Sequence, residues 1–464
     1  MSKKPNFHII AKATCGCNIN CEYCYDRKNR ERLKGMIMSD ENLEHTIKLL
    51  SEYADRIDWL WHGGEPTTIP IEWYDRVQEL FYKYYNSEFI QSMQSNGVNF
   101  IKDSELLNKF RDLGIEAGLS FDILTQAIRL GKTSDEIMEN YIELLKKNAK
   151  PDGEIGALTV VTNQNIDKLI DMYEYMKVNF REYQYEMSLL FVSQHQEEEK
   201  TLEVPKDKLL ENLDKFYKHV IFDDSDHPLL EHNLNEYLTI LMHRSSRCTC
   251  NYVDCRKTRI GVQPDGEVLY CDTKFHKYPL GYIQDYNSVE EIFESENYKN
   301  LCDAVQRRYD NECSKCAYFN LCKGGCNHTH MDTEGNIDKC NPHVCDQFKS
   351  RIHMVYKYLQ EIDRDTVINH RLAYLIESKT ALLPKEVEYA LSRHGLNVSL
   401  KIDDLTDFPN NPKYQLYSIF TTDEPATRQP RLFTEERYTR FDGLIGNRGH
   451  EIREMVKYIN ELEG

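Results

Sequence analysis

Nowhere in the 464 residues is there a run of about 18 apolar residues, the length a helix needs to cross a bilayer. The opening Met-Ser-Lys-Lys-Pro-Asn-Phe-His also lacks the apolar stretch of a secretory signal, so a cytoplasmic protein with no membrane partner is expected. Positive charge is in short supply. Lys and Arg number 58 against 76 Asp and Glu, a formal net charge of −18. A nucleic-acid partner draws on a surplus of Lys and Arg, and its absence argues against one. Internal repeats and low-complexity linkers are missing as well. The composition, 40% hydrophobic and 29% charged, is that of an ordinary globular chain long enough for more than one domain.

Cysteine is absent between Cys24 and Cys248 and again from the last hundred residues. All 15 cysteines therefore fall into two groups, four between Cys15 and Cys24 and eleven between Cys248 and Cys345. In a reducing compartment such density points to metal or redox chemistry, not to disulfides.

The cysteine-free stretch alternates strand and helix patterns. Apolar or β-branched runs lie at Phe7–Ala11, Ile57–His62, Phe89–Ser95, Glu116–Phe121, Ile155–Val161 and Tyr183–Phe191. Helical periodicity follows over roughly 39–53, 71–85, 104–113, 133–148, 165–180 and 205–219. Six strand–helix units predict an α/β fold with a parallel sheet, either a full or partial barrel or a doubly wound open sheet. From about 240 to 350 little regular periodicity is expected, and metal ligation would hold that region together. A helix is expected from about 351 (Ile352, Val355, Tyr356, Leu359), followed by helix-like pieces at 385–394 and 449–462.

The first cysteines are spaced Cys17-x3-Cys21-x2-Cys24, just after the first strand. Three thiolates on one loop can each take one iron of a [4Fe–4S] cubane, leaving the fourth iron open to a small ligand. A structural zinc site is the competing reading, but a triplet on one loop suits tetrahedral zinc less well. Cys15 reads as a bystander. Gly63-Gly64-Glu65-Pro66 follows the second strand, where glycines permit close backbone approach and a carboxylate can accept from an ammonium.

This pairing, with Tyr23 directly before the last cysteine, resembles the radical S-adenosylmethionine superfamily. The resemblance implies a partial (β/α)6 TIM-like barrel in which Cys17, Cys21 and Cys24 hold the cluster. Gly63, Gly64 and Glu65 would then bind the amino group of S-adenosylmethionine. It extends, against competing cap or turn roles, to Ser95, Asn96, Ser120, Asp122, Thr162 and Leu189 at the strand ends, together with Tyr23, as cofactor contacts. Relatives often continue strand four as Ser-x-Asp-Gly. Here Ser120-Phe121-Asp122 runs into Ile123-Leu124, a shortened loop.

The second group reads Cys255-x10-Gly266-x4-Cys271, then Cys313-x2-Cys316-x5-Cys322-x3-Cys326, then Cys345. This resembles the SPASM domain, a cysteine-rich auxiliary-cluster extension. The resemblance implies two further [4Fe–4S] clusters, one on Cys250, Cys255, Cys271 and Cys326, the other on Cys313, Cys316, Cys322 and Cys345. Cys248 competes with Cys250 and Cys340 with Cys345, and Cys302 is left over. A zinc ribbon over 313–345 is the alternative. The expected domains are a barrel over 1–235, the SPASM domain over 236–350 and an α+β extension over 351–464.

The cofactors implied are three [4Fe–4S] clusters and S-adenosylmethionine, reductively cleaved to a 5′-deoxyadenosyl radical. An electron donor such as flavodoxin or ferredoxin would serve them. SPASM relatives most often modify peptides, so the main expectation is a maturase that cross-links a ribosomally made precursor peptide, most often through a thioether. Trp61-His62-Gly63-Gly64-Glu65-Pro66-Thr67, and Asp272 directly after Cys271, also look like the anaerobic sulfatase-maturing enzymes. These oxidise Cys or Ser to formylglycine with an aspartate as base, and Asp272 is the matching residue. A multi-cluster electron carrier is the non-enzymatic alternative.

Overall fold

Each apolar run anticipated in the first half forms a strand: β1 (Asn6–Lys12), β2 (Arg56–His62), β3 (Glu88–Ser95), β4 (Ile115–Ser120), β5 (Glu154–Val161) and β6 (Gln184–Phe191). A computed structural model of the chain describes residues 5–84, 88–150, 153–191, 202–223, 225, 229–241, 255–272 and 275–361, then 388, 391, 392, 394–400, 412, 413, 416, 450 and 452–462. Two compact units are built from discontinuous stretches. The first takes Met1–Leu209, Asp254–Ser314 and Cys326–Val344, the second Leu210–Val253, Lys315–Gly325 and Cys345–Gly464.

In the first unit β1 to β6 pair in parallel, each with its neighbour in sequence. A doubly wound sheet reverses direction at a switch point, whereas this order steps one way throughout. The singly wound, barrel-type reading therefore holds. The second unit holds a two-residue strand, β7 (Leu230–Glu231). In the first unit, β8 (Arg259–Val262) lies parallel to β1 on the side away from β2, and β9 (Val268–Leu269) runs antiparallel to β8. With both edges of β1 taken, the barrel is partial.

The strands form where they do because their apolar positions alternate. Along β2, Ile57, Trp59 and Trp61 are buried and the residues between them half-buried. Helix Ile71–Tyr84 covers this face. Its Phe81 ring meets Trp59 edge-on at 5.0 Å and its Tyr74 ring meets Trp61 at 5.7 Å. Trp61 Nε1 donates to Gln91 Oε1 at 3.0 Å, so the buried indole keeps a partner. Helices Asp40–Tyr53 and Asp135–Lys147 start where Ser39 and Ser134 accept the amides of Asn42 and Ile137, caps worth about 1 kcal/mol each.

The region after 240 is more regular than expected. Helix Glu296–Asn311 buries Tyr298, Leu301, Ala304, Val305 and Arg308 along one side and is capped by Ser295. Its periodicity is masked because the stripe includes an arginine and most of the other positions are polar or charged. The helix expected from about 351 starts at Pro342, a residue favoured in the first turn. Asn341 Oδ1 accepts the His343 amide there at 3.0 Å. In the second unit that helix continues to Glu361; Tyr358 donates to Asp214 Oδ1 at 2.7 Å, and Arg351 Nη1 to the Tyr237 hydroxyl at 3.3 Å. The expected helix near 449–462 is present over 452–462, burying Ile452, Val456 and Ile459. Most of 385–394, and most of the expected α+β extension, lie outside the described residues. No described helix is long and apolar enough to cross a membrane.

Candidate active site

A cavity of about 470 Å³ lies within the first unit, beside the ends of the parallel strands. Small-molecule sites typically span about 300–1,000 Å³. Its lining includes Cys17, Cys21, Tyr23 and Cys24 from the loop after β1, and Gly63, Gly64 and Glu65 after β2. Ser95, Asn96 and Ser120 join from the ends of β3 and β4, and Asp272 from beyond β9. Residues far apart in the sequence thus meet in one chamber. Asp122, Thr162 and Leu189 do not line it. Thr162 accepts the Gln164 amide at 3.2 Å in a turn before the next helix, and at the end of β6 it is Leu190 and Phe191 that face the cavity. Asp122, fully buried, accepts from the Tyr23 hydroxyl at 2.6 Å and from the Val160 amide at 3.0 Å.

The two glycines have different steric reasons. At Gly63 (φ +73°) a Cβ would fall 2.7 Å from the Lys12 side chain; at Gly64 (φ +53°) it would fall 2.3 Å from the Gly16 carbonyl oxygen. The Glu65 amide donates to that same oxygen at 2.7 Å, so the glycine turn lies directly on the cysteine loop. Glu65 is buried. Its Oε1 accepts from the Thr67 amide and hydroxyl and from Ser95 Oγ at 2.8 Å, while Oε2 accepts the Asn96 amide at 2.7 Å. Oε2 keeps capacity for another donor, such as an ammonium. Beneath the turn, Lys12 Nζ and Asp26 Oδ1 form a buried ion pair of 2.6 Å.

Cys17 and Cys24 each face a side-chain N–H donor. Asn96 Nδ2 lies 3.8 Å from Cys17 Sγ, Arg30 Nη1 lies 3.6 Å from Cys24 Sγ, and the charge of Arg129 acts on Cys21. Burial pushes the Cys17 and Cys21 thiols up, and the cations beside them oppose it. Three convergent thiols with positive charge at hand suit an anionic iron–sulfur cluster, and the adjoining chamber suits a small ligand on its open iron. Cys15 is buried outside the cavity lining, and burial pushes its thiol up to about 12.

Arg30, Arg129, His62, Tyr25 and Asp26 also line the cavity and were not among the expected site residues. Tyr25 Oη and His62 Nδ1 are 2.8 Å apart. Burial lowers the His62 pKa, against the opposing charge of Asp272. His62 stood next to the quoted glycines, but only the three-dimensional closeness of Tyr25 marks it.

Among the auxiliary cysteines, Cys255, Cys271, Cys313 and Cys326 belong to the first unit and Cys316, Cys322 and Cys345 to the second; Cys248 and Cys250 lie outside the described residues. Cys255 Sγ lies 3.9 Å from both the Tyr270 hydroxyl and Asn327 Nδ2, and Asn327 Oδ1 accepts from the buried Arg308 at 2.7 Å. Cys313 Sγ is 3.5 Å from Cys340 Sγ. In the second unit burial raises the Cys322 thiol, with Cys316 and Cys345 close enough to add to it.

Residues 12–176 match the radical SAM superfamily, and residues 250–317 match the iron–sulfur cluster-binding SPASM domain. The chain carries a radical S-adenosylmethionine domain and an iron–sulfur cluster-binding SPASM domain, which imply S-adenosylmethionine and iron–sulfur clusters as cofactors. It is similar to a cysteine-type anaerobic sulfatase-maturating enzyme of Clostridium perfringens, 29% identical over 363 residues, which are 74% of this chain and 94% of the relative. The serine-type enzyme of Bacteroides thetaiotaomicron is 23% identical over 404 residues, 77% of this chain and 90% of that one. Native anSMEcpe with bound AdoMet and Cp18Cys peptide has a TM-score of 0.61 at 26% identity, covering 77% of this chain and 98% of its own. Streptococcus suis SuiB bound to precursor peptide SuiA, at 14% identity and TM-score 0.50 over 73% of this chain and 76% of its own, shares the fold.

Proposed function

We propose that this enzyme oxidises a cysteine or serine side chain of a peptide or protein to the aldehyde, formylglycine. The observation that carries this reading is the match to sulfatase-maturating enzymes over 94% of the length of a cysteine-type relative (29% identical) and 90% of a serine-type one (23%). It moves the weight from thioether cross-linking, the main expectation from the sequence, to the formylglycine alternative.

When bound, S-adenosylmethionine would supply the carbon radical for hydrogen-atom abstraction from the target Cβ, and the auxiliary clusters held by the SPASM cysteines would supply the acceptor for the second electron. Cys17, Cys21 and Cys24 would hold the first cluster, and Gly63, Gly64 and Glu65 the cofactor's amino group. Ser95, Asn96 and Ser120 line the same chamber, while Asp122 acts through Tyr23. Asp272 takes the thiol proton as the carbon–sulfur double bond forms. Water then replaces sulfur, releasing hydrogen sulfide. Leu158, Val160, Leu190 and Phe191 form an apolar wall that limits water. Flavodoxin or ferredoxin would supply the initiating electron.

The test is mass spectrometry of a sulfatase-derived peptide incubated with reduced, iron-loaded enzyme and S-adenosylmethionine. A product that has lost sulfur and reacts with a hydrazine supports the reading. Loss of two hydrogens with no aldehyde would instead establish a cross-link. Asp272→Asn should continue to release 5′-deoxyadenosine while aldehyde formation falls by about 100- to 10,000-fold, the usual contribution of a positioned base.

A further inference from the structure

We propose that Arg30 sets the reduction potential of the S-adenosylmethionine-binding cluster through the N–H group it places on the Cys24 thiolate, with the Arg129 charge near Cys21 the weaker contributor. The inference rests on Cys17, Cys21 and Cys24 holding that cluster.

Hydrogen bonds to ligand sulfur and nearby positive charge favour the reduced cluster, which carries one more negative charge, and so raise its potential. Cys24 and Cys17 each face a side-chain N–H donor, and Cys21 faces the charge of Arg129. Arg30 Nη1 lies 3.6 Å from Cys24 Sγ, and Nη2 donates to the Ile19 carbonyl at 3.1 Å, fixing the guanidinium under the loop. The charges that act on Arg30 are those of Cys17, Cys21 and Cys24, with no carboxylate among its principal partners. Its positive charge is therefore directed at the cluster. Arg129 is 4% exposed, donates to the Ser120 carbonyl and places its charge near Cys21, but it also faces buried Asp122. Asp122 accepts from Tyr23 at 2.6 Å, and its carboxylate offsets the Arg129 charge. Asn96 supplies a neutral donor, 3.8 Å from Cys17. The three thiolates thus meet an uncompensated cation, a compensated cation and an amide.

The experiment is an EPR-monitored redox titration of the full, iron-loaded chain carrying Arg30→Gln, Arg30→Met, Arg30→Lys or Arg129→Gln. The cluster concerned is recognised as the one whose signal S-adenosylmethionine perturbs, and the auxiliary clusters serve as internal reference. Arg30→Met should make reduction at least tenfold less favourable, 59 mV for one electron. Arg30→Gln should follow in the same direction, Arg30→Lys should recover most of the shift, and Arg129→Gln should shift less than Arg30→Met. Unchanged potentials in the Arg30 variants at full iron content would overturn the proposal, and so would a larger effect from Arg129→Gln. Should Arg129→Gln fail to fold, the Arg30 series alone decides. A variant lacking the thiols of Cys17, Cys21 and Cys24 must lose the perturbed signal; its persistence would overturn the ligand assignment itself, an outcome distinct from unchanged potentials in the arginine variants.

Discussion

Gly64→Ala offers the most direct test of how the glycine turn is built onto the cysteine loop. The backbone at Gly64 has φ +53°, which costs an L-residue about 1–2 kcal/mol. An added Cβ would also stand 2.3 Å from the Gly16 carbonyl oxygen and 2.7 Å from that of Thr14. These are backbone atoms of the loop, so a rotamer change cannot relieve the overlap. Overpacking of this kind costs about 1–3 kcal/mol. Because Glu65 bonds to the same Gly16 oxygen, the strain separates the carboxylate from the cysteine loop. If the overlap term is lost from binding, affinity for S-adenosylmethionine falls by about 5- to 150-fold. Gly35→Ala is the control: its φ is +70°, but a Cβ there meets nothing within 4 Å, so only the conformational cost applies. The assay is equilibrium binding of S-adenosylmethionine to protein matched for iron content. Equal affinities in the two alanine variants would refute the steric argument.

Lys12→Met leaves Asp26 as an uncompensated buried charge and should destabilise the protein by about 3–5 kcal/mol, read by chemical denaturation of the iron-free chain. Restored stability in the Lys12→Met/Asp26→Leu double variant would show that the charge, not the packing, is responsible, whereas a harmless single variant would contradict the burial. His62 has a pKa lowered mainly by burial, so the unfolded chain binds its proton first as the pH falls. Its contribution is present above the ordinary histidine value of about 6.5 and is lost progressively below it, down through the folded value. His62→Gln should therefore flatten the stability curve below that pH; an unchanged slope would argue against a buried neutral imidazole.

Much of the fold was legible because its signals are local. The six strand runs and the six helical stretches each carry their own periodicity, and Pro205 before Lys206–Ile221 or the serines at 39 and 134 punctuate them. Helix Glu296–Asn311 escaped because its buried stripe includes Arg308, whose charge cancels the apolar signal while Asn327 and the Ile337 carbonyl satisfy it in the fold. The site divides in the same way. Cys17, Cys21, Cys24 and Gly63-Gly64-Glu65 are contiguous motifs and could be read directly. Arg129 could not: it comes to Cys21 across 108 residues, by way of a turn in which Leu124 takes φ +60°. Asp122 was legible as a strand-end polar residue, yet the fold places it behind Tyr23 and Arg129, outside the cavity lining.

In the proposed oxidation the initiating electron and the departing proton are handled by different groups of the lining. Arg30 places positive charge beside the thiols, where the electron arriving from the donor would be stabilised, and the second electron would leave for an auxiliary cluster. Asp272, Asp26 and Glu65 contribute carboxylates, and the second oxygen of Asp26 is buried without a hydrogen-bond partner among the described residues. Glu65 is already held by Thr67, Ser95 and Asn96, which leaves Asp272 and Asp26 to stabilise a proton. Tyr25 and His62, 2.8 Å apart and both within the field of Asp272, would give the proton a polar route, which at Tyr25 borders Cys24. The apolar side chains of Leu158, Val160, Leu190 and Phe191 complete the lining and lower the local dielectric, which strengthens both effects. Under that reading a carbon-centred radical on the substrate would lose its proton toward Asp272 and its electron toward an auxiliary cluster, so that return of hydrogen would not quench it.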